Sequence, residues 1–441
     1  MTRLSRASLP GVRGVRTPPY DLAGVQVGIV HLGVGAFHRA HQAVYTDAVL
    51  AADPTWGISG FTQRSATVRD QLAPQDGLYT VLERGAGAAP PRVIGALREI
   101  RAPDEDGGPA ARIADPRVRL VTLTVTEKGY RPGAPAVGHL VAGLDLRRRA
   151  DAGPISVLSC DNLTANGATL RTLVAAHCAG LPDADRLLDW ITESVAFPSC
   201  VVDRIVPATA PADLDAVASV LGARDEGAVV AEPFSQWVIE DSFAAGRPAW
   251  DATFTDDVAP YEAAKLRLLN ATHSLLAYTG ALAGYDTIAA AMTDPVLADA
   301  ARRLMAEDAA PTLTLPAGFD LVGYQESILR RFADPALGHR TTQVAADGSL
   351  KLPIRLLGTA RDRLAAGATP QWTALAVAAW MVYVATRQPV DDPQAAVLAA
   401  ATAGATTAPA LVDALLPVFP DRLGPSWRDL LIEHAARLLR Q

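Results

Sequence analysis

Short unbroken apolar runs punctuate the first 160 residues of the chain: VQVGIVHL (25–32), WGISGF (56–61), RLVTLTV (119–125) and ISVLSC (155–160). Runs of this length and continuity predict strands buried on both faces, as in a parallel sheet. Between the first two, AFHRAHQAVYTDAVL (36–50) sets Phe37, Val44 and Ala48 on one side and predicts a helix. The order strand, glycine turn, helix, strand has the length of a dinucleotide-binding unit. The two later runs end in polar clusters, TEKGY and DNLTANG. In an open parallel sheet, ligands lie off the carboxyl ends of the strands, so both clusters fall where a nucleotide would bind.

The glycine turn reads Gly33-Val34-Gly35, with His38 where a third glycine would stand. Gly33 permits a tight turn, Gly35 lets a pyrophosphate approach the backbone, and the following helix offers unpaired N–H groups to phosphates. The third glycine mainly serves helix–strand packing, so its loss leaves binding possible. The segment GFTQRS (60–65) lacks the carboxylate that usually receives an NAD ribose, and Arg64 suits a 2′-phosphate. NAD and NADP therefore both stay open.

The later half changes character. PYEAAKLRLLNATHSLLAYTGALAGY (260–285) predicts a long helix. At the α-helical period Lys265, Asn270 and His273 span a sector of about 140° that also holds Leu266 and Leu269. Polar groups on an apolar face cost free energy unless partners are supplied, which marks a candidate site. Lys265 is also one of only three lysines, with Lys128 and Lys351, in a chain whose other cations are arginine. A lysine kept against that bias suits a role needing a titratable ammonium. GRPAWDATFTDDVAP (246–260) is a turn-rich connection. It divides the chain into 1–258, the dinucleotide domain, and 259–441, a helical substrate domain.

Composition narrows the function classes. The net charge of −7 is scattered, which excludes the basic footprint of a nucleic-acid binder. No apolar stretch reaches membrane-spanning length and no N-terminal signal pattern is present, so a soluble cytoplasmic protein is expected. Cys160, Cys178 and Cys200 lack metal-ligand spacing and fit a reducing compartment.

The segments GIVHLGVGAFHRAHQAVYTD, TLTVTEKGY, SCDN, VDRIVP, EPFSQWVIED and KLRLLNATHS together resemble the long-chain mannitol dehydrogenase family, from about residue 24 to about 358. The resemblance implies an α/β fold: an N-terminal Rossmann-type parallel sheet, a mostly α-helical C-terminal domain and an active site between them. It implies NAD(H), sometimes NADP(H), and no metal. It implies that Lys265 is the catalytic acid–base, with Asn270 and His273 as companions and Asn162 as a donor to the oxyanion. It places Asp203 near the site, counted here with the cofactor residues Gly33, Gly35, Ala36, Phe37, His38 and Arg64. Glu262 is implied to serve proton passage.

The block HRTTQVAADGSLKLPIR (339–355) bears on the substrate. The mannitol 2-dehydrogenases of the family carry polyol-contacting Arg and His where Gln343 and Ala346 stand here. The block is more similar to fructuronate reductases. A sugar acid also needs a cation, for which Arg340, Lys351 and Arg355 are candidates. The reading is an NAD(P)-dependent oxidoreductase acting on a small sugar acid, fructuronate reductase first. Mannitol 2-dehydrogenase or arabinitol dehydrogenase is the alternative, and a non-catalytic nucleotide-binding regulator is the reading from another class. Neither nucleic acid nor membrane is an expected partner.

Overall fold

The computed structural model describes residues 1–63, 65–105, 108–126 and 129–440. Arg64 and Lys128 therefore lie outside the described residues. The chain forms two compact units, Met1–Val258 and Ala259–Gln441.

The first unit is built on strands β1 (Val27–Leu32), β2 (Gly57–Phe61), β3 (Tyr79–Glu83), β4 (Arg92–Ile94), β5 (Leu97–Arg101), β6 (Leu120–Leu123), β7 (Ile155–Ser159), β8 (Val195–Ala196), β9 (Cys200–Asp203), β10 (Val229–Ala231), β11 (Gln236–Glu240) and β12 (Thr253–Thr255). Six of them make one sheet in the order β5-β2-β1-β6-β7-β8, every pair parallel. This is the doubly wound Rossmann arrangement, whose strand order reverses between β1 and β6. The four apolar runs of the sequence are β1, β2, β6 and β7, and their side chains are nearly all buried. Two smaller sheets, β10-β3-β4 and β12-β11-β9, mix parallel and antiparallel pairs. They arise from shorter segments that the apolar runs do not single out. Cys160, Cys178 and Cys200 are buried thiols outside any disulfide.

The helix expected over 36–50 is broken. Ala36–Ala40 and Gln42–Val49 are separate, and His41 between them has φ −125° and ψ −88°. Tertiary packing accounts for the break. The His41 Nε2 sits 2.9 Å from the Gln236 carbonyl oxygen, and its ring lies between Phe37 and Trp237.

His38, in the place of the third glycine, is fully buried and stacks on His31 of β1 with ring centroids 3.4 Å apart. The close helix–strand packing that a glycine would permit by absence is here made by two flat rings. His31 is fixed in turn, its Nδ1 2.8 Å from the Thr122 hydroxyl and its Nε2 3.0 Å from that of Thr124. Burial pushes the His31 imidazole down to about 3, so it is neutral in the folded protein.

The second unit is helical. Gln371–Thr386 is buried almost all round and packs against Ala271–Leu282 and Pro425–Leu438. Three segments are π-helical: Lys265–Asn270, Leu304–Ala309 and Pro353–Leu357. The third begins at a proline, which has no N–H to continue the α pattern. Just before it, the short helix Gly348–Leu352 is seated by Ser349, whose N–H and hydroxyl donate to the Asp392 carboxylate at 2.8 and 2.6 Å. A Cβ on Gly348 would stand 2.3 Å from the Trp380 Nε1 and 2.7 Å from the Tyr278 hydroxyl oxygen.

Two outcomes follow. Gly348→Ala overpacks this contact and should cost about 1–3 kcal/mol, read as a Tm several degrees lower; an unchanged Tm contradicts the packing. His31 has a folded pKa below its unfolded value near 6.5, so its contribution is complete above pH 6.5 and is lost as pH falls towards 3. The loss approaches about 1.4 kcal/mol per pH unit. Urea unfolding between pH 7 and 4 should show a His31→Gln variant with a pH slope shallower than wild type by about one proton. Equal slopes would count against a neutral buried His31.

Candidate active site

The first unit places a pocket at the carboxyl ends of β1, β2 and β6, lined by Gly33, Gly35, Thr62, Gln63, Thr124 and Thr126 among others. Gly33 has φ +101°, and a Cβ there would lie 2.1 Å from the Thr124 carbonyl oxygen, so only glycine fits. The Thr124 hydroxyl donates to the Gly33 carbonyl at 2.7 Å and closes the turn. Gly35 is different. It has φ −96°, and a Cβ would meet nothing nearer than 3.8 Å. The protein's own packing does not require glycine there; what its absent side chain leaves is open space beside the pocket. The helix Ala36–Ala40 starts at that point, so the N–H groups of Ala36, Phe37 and His38 have no intrahelical acceptor. Gln63, at the end of β2, has a buried amide nitrogen without a hydrogen-bond partner. Crowding at Gly33, openness at Gly35, orphan donors and an unsatisfied amide suit a dinucleotide. The His38 side chain is packed away on His31, which leaves its backbone as the part able to meet a cofactor.

The loop after β7 carries SCDN. Asn162 is exposed there. Its neighbour Asp161, which the sequence reading passed over, accepts from the Val125 and Thr126 N–H groups at 2.8 and 2.9 Å and from the Tyr130 hydroxyl at 2.7 Å. One carboxylate thereby ties together the loops that follow β6 and β7. Asp203 is buried at the carboxyl end of β9, in a different sheet from the pocket. The next residue, Arg204, donates to the Glu83 carboxylate at 2.8 Å and to the Ala40 carbonyl at 2.6 Å.

In the second unit Lys265, Asn270 and His273 are 8%, 6% and 9% exposed. The segment that carries the first two is not α-helical. The Ala271 N–H reaches the Leu266 carbonyl, five residues back, and Lys265–Asn270 is a π-turn inserted between the helices Ala259–Ala264 and Ala271–Leu282. Bonding from i to i+5 brings residue i+5 nearly above residue i, so Lys265 and Asn270 are closer in azimuth than the α period predicts. π-turns concentrate at functional sites. Glu262 lies half-buried in the helix just before Lys265.

His273 stacks on Phe332 at 4.7 Å and meets the edge of His339 at 4.7 Å. Burial first, then the neighbouring His339, Arg355, Arg331 and Lys351, pushes the His273 imidazole well below its usual range. It is a neutral hydrogen-bonding group. Its Nε2 and the Asn270 Nδ2 are buried without hydrogen-bond partners. Residues three apart on a helix are neighbours, so two unsatisfied polar side chains share one side of it, as groups awaiting a polar ligand would.

The cations divide. Arg355 donates to the Ser274 hydroxyl at 3.1 Å, and Ser274 donates to the Asn270 carbonyl at 3.1 Å. A two-bond chain therefore runs from Arg355 to the π-turn. Lys351 donates to the Ala346 carbonyl at 2.7 Å. Arg340 is exposed and stands in extended backbone. Arg331, buried on the helix Leu321–Phe332, belongs to the cationic surroundings of His273 and was not singled out from the sequence. Gln343 is exposed. Among the described residues no group of three or more His, Cys, Asp or Glu could hold a metal ion, and no helix is long and apolar enough to cross a membrane.

Comparison with known proteins accounts for both units. Residues 27–252 match the mannitol dehydrogenase Rossmann domain and residues 257–420 the mannitol dehydrogenase C-terminal domain. The chain is 43% identical to D-mannonate oxidoreductase of Escherichia coli strain K12, over 89% of this chain and 85% of that protein. It is 38% identical to mannitol 2-dehydrogenase of Cereibacter sphaeroides, over 84% and 83%. The structure of Pseudomonas fluorescens mannitol 2-dehydrogenase in ternary complex with NAD and D-mannitol superposes with a TM-score of 0.89 at 33% identity, covering 100% of this chain and 99% of that one. Both units and nearly the whole length of the chain are accounted for: it belongs to the mannitol dehydrogenase family of NAD-dependent oxidoreductases.

Proposed function

We propose that the protein is a fructuronate reductase, interconverting fructuronate and mannonate at C5 with NAD(H), and that Lys265 is its acid–base. The observation that carries the sugar-acid reading is the cationic surrounding of His273, in which Arg355, Arg331 and Lys351 all take part. A polyol hydroxyl can accept from such a cluster, but a carboxylate brings a second charge, and charge-assisted hydrogen bonds are roughly twice as strong as neutral ones. The identity to D-mannonate oxidoreductase of Escherichia coli points the same way. The structural likeness to a mannitol 2-dehydrogenase bound to D-mannitol favours the second reading, a polyol dehydrogenase.

The residues suit ketone reduction. A nicotinamide dinucleotide, held at Gly33, Gly35 and the N-terminus of Ala36–Ala40, supplies the hydride when bound. Negative charge then builds on the carbonyl oxygen of the substrate. Amide donors aimed at that oxygen stabilise it, and the unpartnered Asn270 Nδ2 is one such donor. Lys265 delivers the proton to the oxygen, and in the reverse direction removes it from the hydroxyl. Glu262, one turn away, returns the proton to Lys265 from solvent. His273, held neutral, hydrogen-bonds the substrate without adding charge.

Lys265→Ala should lower kcat by about a hundredfold or more while the Kd for NADH stays near wild type; near-normal turnover would remove Lys265 from its role. Removing the partner of a desolvated substrate charge costs about 2–5 kcal/mol. Arg355→Ala or Lys351→Ala should thus lower kcat/KM for fructuronate by about thirtyfold or more, and that for fructose, which lacks the carboxylate, far less. Arg340→Ala should change either value little. A wild-type enzyme that prefers fructose to fructuronate would establish the polyol reading instead. Assays with NADH and NADPH in parallel should show NADH preferred.

A further inference from the structure

His339 is assigned no role by the family resemblance or by the function proposed above. Its backbone is held on both sides. The Ile288 N–H donates to the His339 carbonyl at 2.9 Å, and the Thr341 N–H donates to the Asp286 carbonyl at 3.0 Å. The Thr341 hydroxyl donates to the Tyr285 carbonyl at 2.9 Å. Thr287 and Arg340 form an antiparallel bridge between these bonds. Side chains of extended backbone alternate. Thr341 is buried, Arg340 is exposed, and His339 turns inward again to meet the His273 ring edge-on.

The inward atom has nothing to bond. The His339 Nδ1 is buried without a hydrogen-bond partner, and the same is true of the His273 Nε2 and the Asn270 Nδ2. Buried polar groups are ordinarily paired, so an unpaired nitrogen on each of two touching rings, with a third on Asn270 three residues before His273, calls for an explanation. A hydrophobic guest would leave all three unsatisfied, and a guest with a row of oxygens would satisfy them together.

We propose that His339 is a substrate-binding residue of this site, whose Nδ1 hydrogen-bonds an oxygen of a polyhydroxy carboxylate that also meets His273 and Asn270. The proposal rests on the second-unit site being the substrate site, and on no particular sugar acid. Burial and the nearby Lys351 push the His339 imidazole below its usual range, which keeps it neutral and able to accept or donate.

The test uses the full-length enzyme with whichever substrate the wild type prefers from a panel of fructuronate, tagaturonate, fructose and mannitol. His339→Phe keeps a flat ring against His273 and removes both nitrogens. His339→Asn removes the ring and keeps a polar atom close to the Nδ1 position. The Phe variant should raise KM about tenfold or more, since a substrate oxygen would be buried without its partner. Its kcat should change little and its Kd for NADH not at all. The Asn variant should recover most of the loss in KM. A wild-type KM in the Phe variant overturns the proposal. So do equal losses in Phe and Asn variants, which would mark His339 as packing alone; the Asn variant also serves should the Phe variant fold poorly. A failure of the fructuronate reading would appear in the wild type's own preference, before any variant is compared.

Discussion

At Gly33 the backbone leaving β1 passes so close to the Thr124 carbonyl that no side chain fits between them. The close approach is what lets the Thr124 hydroxyl reach the Gly33 carbonyl and His31 reach Thr124. His31 then offers a flat face to His38, and the helix Ala36–Ala40 is docked by that stack. The chain thus meets two needs with one imidazole pair: it fills the gap between helix and sheet, and it fixes the direction in which the helix presents its first N–H groups. The place where the strand order reverses is open to a ligand because the protein closes it so tightly on the other side. Asp161 does the corresponding work for the next two strand ends, gathering the β6 and β7 loops with three hydrogen bonds.

The second unit obeys the same rule at Gly348. There the missing side chain lets the short helix lie against Trp380 and Tyr278, and Asp392 fastens its first turn. Lys351 follows on that helix and Arg355 on the π-turn after it, so the cations of the site stand on an element whose position is set by packing. The Arg355–Ser274–Asn270 chain links that element to the helix bearing Lys265.

Much of this was legible in the residues. Four of the six strands of the main sheet, β1, β2, β6 and β7, are the continuous apolar runs, because a strand covered on both faces has no reason to alternate. The cluster of Lys265, Asn270 and His273 was visible as polar groups on an apolar face. Three features were not. The break at His41 comes from Trp237 and the Gln236 carbonyl, some two hundred residues away in sequence, which no local pattern reports. The π-turn differs from an α-turn by a single residue in one ring of hydrogen bonds, too small a change for periodicity to register over six residues. The cations near 340–355 look alike as a list; what separates Arg340 from Arg355 is the inward–outward alternation imposed by the bridge to Thr287, and what brings in Arg331 is a helix outside that block altogether.

A π-turn is an α-helix with one residue too many for its hydrogen-bond ladder. Deleting a single residue between 265 and 270 would let the ladder close from Ala259 to Leu282 without interruption. Lys265 and the asparagine would then stand four apart in an α-helix and still share a face. Closing the ladder at constant length would instead set Asn270 about 140° round from Lys265. The inserted residue is therefore what reconciles a spacing of five with a shared face. A substitution that straightened the segment would improve the backbone's own bonding and separate the two side chains it now brings together.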